Sequence, residues 1–224
     1  MKDDFQPKFF NPERPIERHR RNLPHWSQER VVTFVTFRLA DSIPRERLAE
    51  WEAERRRWLV ERGKTTQGDL HEVLSRLSPD ERIEYLRAFG RRFHALLDEC
   101  SGSCCLRQSA CARVVERVLR DFDGDRYLLG SYVIMPNHVH VLASPLEGFD
   151  MATIVRSWKT FSARELNRLL GIRGQVWQRE SFDHLVRDGA SLRGFERYIG
   201  ENPVKAVLKE GEFVLGKGLM PGSP

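Results

Sequence analysis

The stretch from Tyr127 to Ser144 constrains the fold of this chain more than any other. It reads YLLGSYVIM, then Pro136-Asn137, then HVHVLAS. Two runs rich in β-branched and aromatic residues, parted by a turn signal, predict paired strands over Tyr127 to Met135 and His138 to Ser144. Side chains on a strand alternate between faces, so His138 and His140 leave one side while Val139 and Val141 leave the other. A sheet of this kind must bury an apolar face under helices.

The rest of the chain supplies them. VVTFVTFRL, Val31 to Leu39, reads as a further strand, and a last short one is expected around His184 to Val186. Helical patterns run over Arg45 to Arg62, Pro79 to Asp98, Ala110 to Phe122, Asp150 to Leu170 and Leu192 to Asn202. In the fourth of these, Ile154, Trp158, Phe161 and Leu169 are expected to face inward. Pro203 disfavours helical geometry at Asn202, so the last turn is expected to be distorted there. The alternation predicts an α+β fold, an antiparallel sheet with helices on one face, and a helical insertion over about 45–105. Residues 1–30, with Pro7, Pro12, Pro15 and Pro24 among basic residues, read as an arm laid on a surface or a ligand, and 213–224 as a flexible tail. Residues 31–212 are then one domain.

Composition narrows the partners only modestly. The net charge is +5 and the pI about 9.2, which suits a polyanion without requiring one. No apolar run is long enough to span a membrane, and Met1 to Gln6 lacks the apolar core of a signal peptide, so a cytoplasmic protein is expected. Cys100, Cys104, Cys105 and Cys111 fall close together, but without a C-x-x-C pair and with two of them adjacent they do not have the spacing of a zinc cage. Reduced thiols are the expectation.

The chemistry sits in two constellations. Two imidazoles on one strand face can grip a single divalent cation, and a sheet that could have been wholly apolar exposes them there at a cost. Tyr198 and Asn202 lie one helical turn apart and share a face. A phenol aimed at a bound cation, with an amide oxygen beside it, would supply a nucleophile and a third ligand.

The strings MPNHVHVL, SWKTFSARELN, VWQRESFDHLVRD and YIGENPVKAVL resemble the REP-associated tyrosine transposases, in the single-tyrosine branch of the HUH endonucleases. The resemblance is strong over roughly 120–210. Leu23-Pro24-His25-Trp26 and VTFVTFRLADSIP extend it to the first strand. It implies a ferredoxin-like HUH core, His138, His140 and Asn202 as ligands of Mg2+ or Mn2+, and Tyr198 as the nucleophile that becomes linked to a 5′ phosphate. It also implies single-stranded or hairpin DNA of the REP type as the partner; a monomer and a dimer are both compatible. Residues 45–105 exceed the minimal core, and the resemblance gives them no role.

Around this centre, His184, Arg187, Arg193 and Arg197 are candidate DNA contacts near the tyrosine. Arg156 and Lys159 on the long helix, and Arg14, Arg18, Arg20 and Arg21 in the arm, are candidates for a DNA backbone groove. The favoured function is a metal-dependent single-strand endonuclease and strand transferase. The alternatives are a hairpin-binding protein of the same fold that no longer transposes, and a phosphoesterase that uses water and leaves Tyr198 without a part.

Overall fold

A computed structural model describes residues 7–11, 13, 17–19, 25–64 and 76–221. A small hairpin, β1 (Glu17–His19) with β2 (His25–Ser27), precedes β3 (Thr33–Arg38) and α1 (Arg45–Glu61). Then come α2 (Pro79–Tyr85), a π-helical turn over Leu86–Gly90, and α3 (Arg91–Asp98). The remainder is α4 (Ser109–Arg120), β4 (Tyr127–Ile134), β5 (His138–Pro145), α5 (Met151–Leu170), β6 (Phe182–Leu185), α6 (Gly189–Lys205) and β7 (Val214–Lys217).

The five long-range strands form one antiparallel sheet in the order β6-β3-β5-β4-β7. Strands β3, β4, β5 and β6, with α4 and α5 as crossovers, make a βαββαβ unit, which is the ferredoxin-like arrangement. In β5 the register sets His140 opposite Thr36 and His138 opposite Arg38 of β3. The expected antiparallel α+β sheet is therefore present.

Period-two alternation sorts the two faces. Val35, Phe37, Val139 and Val141 point to one side, where Val115 and Val118 of α4 and Ile154 and Trp158 of α5 cover them. This is the expected helical layer. A second layer lies opposite, where Phe34 and Leu142 pack with Leu192 and Ile199 of α6. His138 and His140 share that second face, opposite Arg38 and Thr36.

Several local expectations change. The stretch Val214–Lys217, read as tail, is an edge strand on β4. Glycine permits it, because a Cβ on Gly216 would run into the Tyr132 ring and one on Gly218 into Leu129. On α5 the buried stripe is Met151, Ile154, Val155, Trp158, Ser162 and Leu166. Phe161 and Leu169 fall off that stripe and are 47% and 46% exposed. Helix α6 starts earlier than expected, with the Asp188 carboxylate accepting from the Ser191 N–H at 2.6 Å, and it runs through Pro203. The Asn202 carbonyl accepts from Ala206 N–H at 3.0 Å, so Asn202 stays in register although Pro203 brings no donor of its own.

The insertion has its own small core of Trp51, Leu59, Leu77, Tyr85 and Phe89. Ser78 and Glu81 form a reciprocal capping box at the start of α2. At the N-terminus, Val32 N–H donates to the Lys8 carbonyl and Phe10 N–H to that of Val186, tying the described part of the arm to the ends of β3 and β6. Arg14, Arg20 and Arg21 lie outside the described residues; of Arg18 only the strand position is described. Cys105 and Cys111 are buried and all four thiols are free. Burial pushes the Cys100 and Cys105 thiols up to about 11, away from the thiolate that a metal would need. No helix among the described residues is long and apolar enough to cross a membrane.

Candidate active site

The site begins at the β4–β5 turn. Asn137 is fully buried, and its Nδ2 donates toward the carbonyls of Leu97 at 3.1 Å and of Ser42 and Ser101 at 3.3 Å. These acceptors fix which way the amide points. Its Oδ1 therefore faces His138 Nδ1, at 2.7 Å. A carboxamide oxygen only accepts, so Nδ1 carries the proton and His138 Nε2 presents a lone pair. His140 is held likewise by Thr36, whose hydroxyl lies 2.7 Å from Nδ1 and can serve as donor or acceptor.

The two Nε2 atoms converge to 3.0 Å. Both rings are fully buried. Burial drives His138 down to about 3 and His140 well below the usual imidazole value, with each neighbouring imidazole adding to the effect. Both are therefore neutral, the form that coordinates a metal.

Helix α6 brings Tyr198 and Asn202 over this pair. The Tyr198 hydroxyl is 3.3 Å from His140 Nε2, so the tyrosine reaches the histidines of its own chain. Burial and the nearby Asp98 push the phenol above its ordinary value. Asn202 is fully buried. Its Nδ2 points at Asp98 Oδ1, 3.4 Å away, and its Oδ1 is buried without a hydrogen-bond partner. An orphaned acceptor costs on the order of 1–3 kcal/mol. Two neutral imidazoles and a spare amide oxygen fit a divalent cation that accepts mixed nitrogen and oxygen donors. Among the described residues, no three His, Cys, Asp or Glu side chains gather as a metal cage; the donor set is two histidines and an amide.

Three neighbours escaped the sequence reading. His94 Nδ1 lies 2.7 Å from the Tyr198 hydroxyl, and the His94 ring stacks on His140 at 5.4 Å and 15°. Asp98, one turn further along α3, sits 4.0 Å from His138 Nε2, and burial raises its carboxyl to about 6. Lys205 Nζ lies 5.4 Å from the centre of the Tyr198 ring. The only sequence signal was the one-turn spacing of His94 and Asp98 in a helix with no assigned role.

A cleft of about 570 Å³ opens beside the phenol, lined chiefly by Phe34, His94, Phe182, His184, Phe195 and Tyr198. His184 therefore belongs to the site. Arg187, Arg193 and Arg197 are exposed on or just before α6, outside the stripe of Ser191, Phe195 and Tyr198 that lines the cleft. Arg156 and Lys159 project from α5, across the sheet from Tyr198. They line a separate cleft of about 530 Å³ with Gln175, Gln178 and Arg179, where Lys159 Nζ donates to the Arg179 carbonyl at 2.8 Å.

Residues 107–202 match the family described as IS200-like transposases. The match contains both histidines, Tyr198 and Asn202, and leaves out β3 and the whole of the insertion. A search of curated proteins found no match. A solved structure of a REP-associated tyrosine transposase bound to a REP hairpin is similar at 16% identity, over 81% of this chain and 71% of that one, with a TM-score of 0.43.

Proposed function

With the transposase match spanning the histidine strand and the tyrosine helix as premise, we propose that this protein is a metal-dependent endonuclease and strand transferase for single-stranded DNA, acting on palindromic hairpins of the REP type through a 5′-phosphotyrosine. The observation that carries this reading is the approach of a half-buried phenol, at 3.3 Å, to a neutral histidine pair. A water-using phosphoesterase would have no need of it.

His138, His140 and Asn202 would hold Mg2+ or Mn2+, which when bound supplies orientation of the scissile phosphate and stabilisation of charge on its oxygens. Asn137 and Thr36 keep the two imidazoles aimed. The Tyr198 oxygen attacks phosphorus and gives up its proton to water. As the new O–P bond forms, the bond to the 3′ oxygen breaks, and that oxygen leaves with the electron pair and takes up a proton from water to become a 3′ hydroxyl. The phosphotyrosine retains the bond energy, so a different 3′ hydroxyl can reverse the step without ATP. The aromatic cleft beside the phenol offers faces on which an unpaired base can stack.

The test is incubation of the protein with labelled hairpin DNA carrying a single-stranded flank, with Mn2+. A covalent protein–DNA band is expected from the wild type and from neither His138→Ala nor His140→Ala. Tight hairpin binding with no adduct from the wild type would instead identify a hairpin-binding protein.

A further inference from the structure

The inserted segment reaches the reacting atoms. We infer that His94, on inserted helix α3, is a positioning residue that holds the Tyr198 phenol for attack; this rests on the nuclease reading above. The 2.7 Å contact to Nδ1 is shorter than the 3.3 Å contact of the same hydroxyl to His140 Nε2. A metal on His140 would occupy the Nε2 lone pair, and the phenol would then depend on His94. With its O–H directed to Nδ1, the phenol oxygen keeps lone pairs free for phosphorus.

The position of His94 is set from several sides. Its ring stacks on His140 and meets Phe182 edge-on, with centroids 5.9 Å apart. One turn later Asp98 accepts from Asn202, and the Leu97 and Ser101 carbonyls accept from Asn137. The C-terminal end of α3 is thus bonded to both halves of the site, the histidine turn and the tyrosine helix. A segment present only to stabilise the fold would need none of these polar links. A side chain that aims a nucleophile acts on the rate, because displacing a reacting atom by about 1 Å can cost on the order of 100-fold.

The experiment compares His94→Phe, which fills the space but accepts nothing, with His94→Asn, whose Oδ1 stands about where Nδ1 stands. Single-turnover adduct formation at saturating hairpin DNA and Mn2+ is expected to fall about 10- to 100-fold in the Phe variant. Hairpin Kd and Mn2+ affinity should stay within twofold, and the Asn variant should recover most of the rate. A Phe variant that reacts at the wild-type rate, or an Asn variant no faster than Phe, overturns the inference. Nitrogen-15 NMR of the imidazoles tests the contact without catalysis: the His94 Nδ1 resonance should move in Tyr198→Phe. If it does not, the positioning role is wrong even where the wild type cleaves. If it moves but the wild type forms no adduct, the contact stands and the nuclease reading fails.

Discussion

Asn137 joins His138 to the inserted helix: its Oδ1 holds His138 Nδ1 at 2.7 Å while its Nδ2 is spent on the carbonyls of Leu97, Ser101 and Ser42. One amide thus sets both the tautomer of a candidate ligand and the seat of α3. Partners of this kind tune metal affinity by about 10- to 100-fold.

Asn137→Ala is accordingly expected to weaken Mn2+ binding by about that factor and to lower stability by about 1–3 kcal/mol, since buried carbonyls lose their donor. Titration calorimetry and denaturant melts read the two effects separately. Unchanged Mn2+ affinity would show that His138 does not need this partner.

Tyr198→Phe removes one oxygen and should abolish cleavage and the adduct while leaving hairpin affinity near wild type. The loss of stability should stay near 1 kcal/mol, because His94 can find water in the half-open cleft. The other tyrosines are committed elsewhere. The Tyr127 hydroxyl donates to the Leu119 carbonyl, Tyr132 donates to Glu116, and Tyr85 is buried in the insertion. Mass spectrometry that finds the nucleotide on any of these three would refute the assignment.

Hairpin DNA with a single-stranded flank should be cut in preference to an uninterrupted duplex. The cleft beside Tyr198 is bounded by Phe34, Phe182 and Phe195, surfaces that an unstacked base can use and a stacked one cannot. Phe182→Ala should reduce cleavage of the flanked hairpin more than nonspecific binding. Equal rates on duplex and hairpin would count against this use of the cleft.

The buried imidazoles also make stability depend on pH. Burial lowers His94 to about 4 and His138 to about 3, and depresses His140 as well. The unfolded chain protonates these groups below about 6.5. Their stabilisation is therefore complete above that pH and is lost as pH falls toward the folded values. Asp98, raised to about 6, acts oppositely between about 4 and 6, but it is one group against three. Without metal, the melting temperature should fall from pH 7 to pH 5, and less steeply in His94→Asn. A flat or rising profile would mean that the imidazoles are not buried as described.

Much of the site was legible because periodicity reports which residues share a face of one element. His138 and His140 follow from a period of two, and Tyr198 and Asn202 from a helical turn. The βαββαβ order followed from alternating patterns. What periodicity cannot report is which faces meet across long stretches of chain. His94 and Tyr198 are 104 residues apart, and nothing local marks α3 as the helix that docks on the histidine face. The same blindness put Arg156 and Lys159 in doubt, since only the packing of Trp158 into the sheet sends them to the far side. It also hid β7, whose glycines read as slack until the close approach to Tyr132 and Leu129 gave them a purpose. Sequence alone determined the histidine pair, the tyrosine and the sheet that carries the pair. Tertiary structure decided that the inserted helix meets both the histidine turn and the tyrosine helix, because those meetings are long-range hydrogen bonds that no local pattern reports.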